Sequence, residues 1–166
     1  MRTHLLRCEQ LLPLDIETTF GFFADAANLE RLTPPWLNFQ ILSQLPIEMR
    51  PGALIDYRLR LRGVRIRWQS EIKMWEPPFR FMDRQVHGPY RLWEHTHTFE
   101  AVSPGATLVT DEVVYAVPGG AIIDAVAVRP DLERIFRYRR AQMEAWAIEV
   151  LRGAEVGDLS EASVPA

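Results

Sequence analysis

A single cysteine, Cys8, stands among 166 residues, so neither an intrachain disulfide nor a thiolate metal cluster can form. That scarcity fits a reducing compartment. No run approaches the roughly 20 apolar residues a membrane-spanning helix needs. The opening MRTHLLRCEQLLPLD has neither the uninterrupted apolar core nor the small-residue cleavage site of a secretory signal. A cytoplasmic protein with at most transient membrane contact is the expectation. Basic excess is missing too: 19 Lys and Arg against 22 Asp and Glu leave a net charge of −3 and a pI near 5.8. A nucleic-acid partner is therefore not expected. There is no GxSxG nucleophile elbow, no glycine-rich phosphate loop, no helical HExxH and no internal repeat.

What is present is an ordinary globular balance, 48% hydrophobic and 25% charged residues, in a length that suits one domain. That domain is expected over residues 1–152, with a disordered tail over 153–166, where no aromatic occurs. Residues Arg2–Leu12 alternate as a strand. Asp15 is placed to cap a helix carrying Ile16, Phe20 and Phe23 to about Ala26, and a second short helix spans Asn28–Leu32 before Pro34 and Pro35 stop it. From Leu37 to about Tyr115 the period becomes two, with strands at Asn38–Ser43, Leu54–Arg62, Val64–Met74, Phe79–His87, Tyr90–Val102 and Thr107–Val117. Turns this short join only antiparallel neighbours. Ala121–Val128 is an apolar connection without clear periodicity. After Pro130 and a capping Asp131, a long helix to about Leu151 carries Leu132, Ile135, Phe136, Arg139, Met143, Trp146, Ala147 and Val150 on one face. The fold class is α+β, a curved antiparallel sheet wrapped around that C-terminal helix. Such packing leaves a space between them.

The stretch DRQVHGPYRLWEHTHTFE, Asp83–Glu100, shows what lines that space. In an extended chain Trp93, His95, His97 and Phe99 share one face. With every apolar face turned inward, Tyr57, Trp68, Trp93, His95, His97, Asp111 and Tyr115 are expected on the lining, and Asp83 and Gln85 join them if no bulge shifts the register. Buried carboxylates and imidazoles need partners. Asp83, Asp111, the two histidines and Arg139 are able to satisfy one another.

Several motifs in this order resemble the helix-grip superfamily of START lipid-transfer domains, polyketide cyclases and Bet v 1 proteins. They look most like its bacterial polyketide cyclase/dehydrase and lipid-transport (SRPBCC) branch. The resemblance covers Arg2–Arg152 and rests on Leu32-Thr33-Pro34, Gly52 with Tyr57, and Trp75-Glu76-Pro77-Pro78 before Phe81 and Asp83. It continues in Gly88-Pro89-Tyr90 with Trp93, His95, His97 and Phe99, in Asp111 with Tyr115 and Pro118, and in Phe136, Tyr138 and Arg139. It implies a pocket for an apolar or amphipathic molecule and assigns no catalytic residue.

Four readings of these residues follow. The polar group is a structural network across the sheet, or it binds the head of a small hydrophobic or amphipathic ligand (lipid, isoprenoid or polyketide-like) with Arg139 facing an anionic head. Alternatively, His95 or His97 with Asp111 serves as the acid–base group of a cyclase or dehydratase. A metal held by His95 and His97 with His87 or Asp83 has a spacing that sheets use, but the motif is short, and no metal or other cofactor is expected. The outer ladder Arg58, Arg60, Arg62, Arg65 and Arg67 reads as a solvated face, with docking of a partner or an anionic membrane as its alternative. Ligand binding without catalysis is the reading carried forward.

Overall fold

The computed structural model describes residues 2–161, with side chains through residue 154. Seven strands form one antiparallel sheet: β1 (His4–Leu12), β2 (Gln40–Ile41), β3 (Leu54–Leu61), β4 (Val64–Glu76), β5 (Arg80–His87), β6 (Leu92–Ser103) and β7 (Ala106–Ala116). Their spatial order is β1-β7-β6-β5-β4-β3-β2. The meander from β3 to β7 is the expected one, and β1 extends it by pairing along its whole length with β7. Only Gln40 and Ile41 pair in the second strand, against Arg58 and Tyr57, because Asn38 turns the chain with a left-handed φ of 45° just before them. The tight β3–β4 hairpin pairs Leu61 with Val64 around Arg62 and Gly63. Positive φ at both turn residues, 49° and 84°, matches the right-handed twist of the flanking strands.

Two bulges set which side chains face inward. On β4, Ile72 pairs with Asp83 and Met74 with Met82, so Lys73 is the extra residue. Trp68, Ser70 and Ile72 point in on one side of it, and Trp75 packs inward on the other. On β5, Gln69 pairs with His87 and Ser70 with Gln85, which leaves Val86 unpaired. Gln85 turns back to the β5–β6 connection, donating from Nε2 to the Tyr90 carbonyl at 2.8 Å and accepting from the Tyr90 amide at 3.2 Å.

The helices are α1 (Ile16–Ala24), α2 (Asn28–Leu32), α3 (Gly120–Ile123) and α4 (Arg129–Glu161). Asp15 caps α1 by accepting from the Thr18 amide at 2.8 Å and the Thr18 hydroxyl at 2.7 Å. These bonds hold its carboxyl below the usual range. Phe20, Phe22 and Phe23 of α1 are buried in the main core with Leu12, Leu14, Phe81, Phe99, Val109 and Met143. The α4 stripe lies on the sheet as expected, with Leu132, Phe136, Met143 and Ala147 buried. Its backbone is also tied to β1, since Gln10 Nε2 donates to the Arg140 carbonyl at 3.0 Å and Arg140 Nη1 donates to the Glu9 carbonyl at 3.1 Å.

Two expectations change. The apolar connection at Ala121–Val128 is helical: α3 runs through a π-helical turn, Asp124–Val128, directly into α4. Pro130 explains the wider turn, because its ring lacks the N–H and crowds the carbonyl of Val126 in a regular helix. The helix also does not stop at Leu151. It continues through Glu161, since Gly153 and Gly157 each cost only about 1 kcal/mol in a helix and no proline follows until Pro165. The remaining tail residues, 162–166, lie outside the described residues.

Candidate functional site

Between the sheet, α1, α2 and α4 lies a cavity of about 180 Å³. Its apolar walls come from both layers, including Phe22, Leu32, Ile55, Leu59, Ile135 and Phe136. The aromatic side is built on neighbouring strands: Tyr57 stacks on Trp68 at 5.9 Å, and Trp93 meets Trp68 edge-on at 5.4 Å. Such offset and edge contacts hold large rings in fixed positions. Tyr90, quoted above only as part of a motif, also lines the cavity and lies against Trp93 at 4.7 Å.

The polar end is a layered group. Asp83 on β5 pairs directly with His95 on β6, and His97 follows on the same face. Asp83 Oδ1 lies 3.8 Å from His95 Nδ1 and 3.9 Å from His97 Nε2. The opposite nitrogens of both rings reach one oxygen behind them: Asp111 Oδ1 is 3.0 Å from His95 Nε2 and 2.6 Å from His97 Nδ1, the second contact being poorly aligned for a hydrogen bond. Arg139 approaches the other Asp111 oxygen, Nε to Oδ2 3.5 Å. Its guanidinium also lies over the Phe23 ring at 5.4 Å. Ser70 is the hub on the aromatic side, donating to Asp83 Oδ2 at 3.1 Å and accepting from Trp68 Nε1 at 3.1 Å, with the Tyr57 hydroxyl 3.3 Å away.

Burial raises both aspartates, and in both the partners win. Asp111 is held well below the usual carboxylate range by Arg139 and by the two imidazoles, and Asp83 is lowered by His97 and His95 with help from the Ser70 hydroxyl. His95 is shifted down, first by burial and then by His97, against the pull of Asp111 and Asp83. Burial, followed by the charge of Asp83, pushes the Tyr57 phenol well up.

Seven expected residues therefore meet at the cavity: Tyr57, Trp68, Asp83, Trp93, His95, His97 and Arg139. Three do not. Asp111 stands behind the imidazoles, which lie between it and the space. Tyr115, fully buried, packs beneath α4 with Leu6, Val113, Leu132 and Phe136. Gln85 keeps its register opposite Ser70 but spends its amide on Tyr90 at the β5–β6 turn. His87 is exposed on β5 and joins no cluster with the other histidines among the described residues. Ser70 was legible as inward-facing, but a neutral serine in an alternating strand carries no sign that it joins three polar partners. Arg62 leaves the outer ladder as well. At the hairpin tip its Nε donates to Asp131 at 2.8 Å and its Nη2 to the Ala127 carbonyl at 3.1 Å.

Residues 12–144 match a family described as polyketide cyclase / dehydrase and lipid transport. The chain belongs to this family. Solved structures carry the same fold at low identity. The Zhui aromatase/cyclase from Streptomyces sp. R1128 is 13% identical over 92% of this chain and 98% of its own, with a TM-score of 0.72. A protein from Arthrobacter aurescens is 17% identical over 87% of this chain and 86% of its own, TM-score 0.69. Ara h 8.0201 is 13% identical over 89% and 99%, TM-score 0.64. No curated protein matches the sequence. Family members with this grip of sheet on helix share the architecture, and the residues inside it set the chemistry. No helix among the described residues is long and apolar enough to cross a membrane.

Proposed function

We propose that the protein binds a small hydrophobic or amphipathic molecule of lipid, isoprenoid or polyketide-like character in this cavity. The observation that carries the reading is the cavity's asymmetry: aliphatic and aromatic walls, with one polar end at Asp83, His95, His97 and Arg139. An apolar body is held by area and stacking, and a hydroxyl, carbonyl or carboxylate is oriented at the polar end. The volume limits the guest. An apolar space of about 150 Å³ accepts benzene, so about 180 Å³ suits one or two rings or a short chain, and a larger molecule requires the walls to part. The family's association with lipid transport supports the same reading.

Native mass spectrometry of the purified protein, followed by quenching of Trp68 and Trp93 fluorescence with a naphthol and with a medium-chain fatty acid, tests it. Saturable one-to-one binding, weakened by filling the space with Leu59→Trp, is expected. The absence of both a retained molecule and saturable quenching by either probe would refute it.

A second reading is favoured by the 3.0 Å contact between His95 and Asp111. Asp111 orients the imidazole, and the nitrogen facing the cavity is placed to exchange a proton with a bound carbonyl compound, as a cyclase or dehydratase requires. The Zhui structure is an aromatase/cyclase by description. Under this reading His95→Gln abolishes turnover of a poly-β-ketone probe while binding persists. Equal weakening of binding and turnover would assign His95 to ligand orientation alone.

A further inference from the structure

The two imidazoles stand between two carboxylates, Asp111 on one side and Asp83 on the other. A neutral imidazole has one N–H and one lone pair. Asp111, which can only accept when ionised, faces His95 Nε2 and His97 Nδ1. It holds a His95 proton on its own side at 3.0 Å and stands 2.6 Å from His97 Nδ1. When both rings are neutral and protonated toward Asp111, the lone pairs of His95 Nδ1 and His97 Nε2 face Asp83 Oδ1, at 3.8 and 3.9 Å. Three acceptors then converge, and a positive charge among them, a proton on one imidazole or a metal ion, satisfies all three. The second Asp83 oxygen is already satisfied by the Ser70 hydroxyl at 3.1 Å, so Oδ1 is the one left facing the gap. The group also holds two carboxylates against one guanidinium, Arg139, and so calls for a further positive charge.

We propose that Asp83, His95 and His97 hold one divalent first-row transition-metal ion of the zinc class, with Asp111 and Arg139 fixing the imidazoles from behind. One ligand atom from each of the three residues lies within 4.8 Å of the others. Ligands of a tetrahedral ion at ~2.0–2.1 Å stand about 3.4 Å apart. The gaps of 3.8 and 3.9 Å thus close by small rotations of side chains already seated on paired strands. Two imidazole nitrogens and one carboxylate oxygen form a set that suits zinc, iron, cobalt or nickel and is too poor in oxygen for calcium or magnesium. A carboxylate behind each metal-binding histidine is the usual way of holding the ring and its tautomer. Asp111 serves both rings at once. The remaining coordination position faces the cavity, where an oxygen of a bound molecule would complete the ion's surroundings. The inference goes beyond the ligand-binding reading and stands without it, since the ion needs no organic guest.

The test uses the full chain, stripped with chelator, dialysed and titrated with Co²⁺ alone, following visible d–d absorption and its displacement by Zn²⁺. One equivalent per chain is expected. Asp83→Ala and His97→Gln should remove the cobalt spectrum, Asp111→Asn should weaken binding roughly 10- to 100-fold, and His87→Ala should change nothing. Circular dichroism of each variant shows whether it is folded. If His97→Gln does not fold, Asp83→Ala, on a partly exposed side chain, decides the matter. Absence of saturable one-to-one binding by either ion, or binding that persists in folded Asp83→Ala, would overturn the proposal. Failure to bind a naphthol or fatty acid would leave the metal titration unaffected, so the two readings fail separately.

Discussion

The sheet carries two groups built from the same residue types, one at the middle and one at the C-terminal end of β7's inner face. The first, Asp111 with His95 and His97, opens through the imidazoles onto the cavity. The second is sealed off from the cavity. His4 Nδ1 lies 2.9 Å from Asp124 Oδ2, and the His4 ring stacks on Tyr115 at 5.4 Å. None of these three residues lines the cavity. Asp124 sits in the π-helical turn, so this pair joins β1 to the segment that leads into α4. Both groups cost desolvation and both repay some of it through pairing. What separates them is access. A buried histidine–aspartate pair is a site only where a third molecule can reach it, and residue type alone does not tell the two apart.

The comparison can be broken by substitution. Asp111→Ala strands Arg139 and both imidazoles, and a loss of about 3–5 kcal/mol in urea unfolding is expected. A loss within about 1 kcal/mol would mean that Asp111 does not hold the group together. Asp124→Ala should cost less, about 1–3 kcal/mol, and should leave cobalt and naphthol binding unchanged. If binding falls with it, the sealed group is part of the site after all.

The sealed group also has its own pH signature. Burial, and then the neighbouring Asp124, push the Tyr115 phenol up from 10.0 to about 12. A raised folded value means the proton is held more tightly in the native state. The contribution is therefore complete below pH 10 and is lost as pH rises toward about 12. Tyr115→Phe should flatten that alkaline limb of a thermal-unfolding profile. An unchanged limb would place the titrating phenol elsewhere.

Arg62→Ala gives the smallest expected effect on stability, within about 1 kcal/mol, because the Arg62–Asp131 pair is solvent-exposed. It removes the outer tie between the β3–β4 tip and the helical turn that Asp124 holds from inside. Faster ligand association and dissociation at nearly constant Kd, read by stopped-flow tryptophan quenching, would be the result. Unchanged rates would exclude this tip as a route to the cavity.

The strand faces were legible because charge and apolar character alternate over long runs, as in Leu54–Leu61. The α4 stripe was legible by its spacing. Depth was not. Period two says that Asp111 and Tyr115 point inward, but only packing shows that His95 and His97 stand in front of the first and that Leu132 and Phe136 cover the second. Gln85 has the register expected of it, and only the turn shows that its amide goes to Tyr90. The helical turn after β7 escaped because Gly119, Gly120 and Pro130 bracket it with residues that ordinarily end helices.

The bulge at Lys73 means that β4 is counted in two frames, even numbers inward before it and odd numbers after. Removing that one residue, on the exposed side of the strand, would alter no contact of its own that matters. It would instead restore the plain ladder: with Ile72 joined to Met74, Trp75 stays opposite Phe81 and keeps the inward face from which it meets Phe20 and Phe81 at 5.2 and 5.4 Å. The extra residue can thus be removed without turning either half of the strand over.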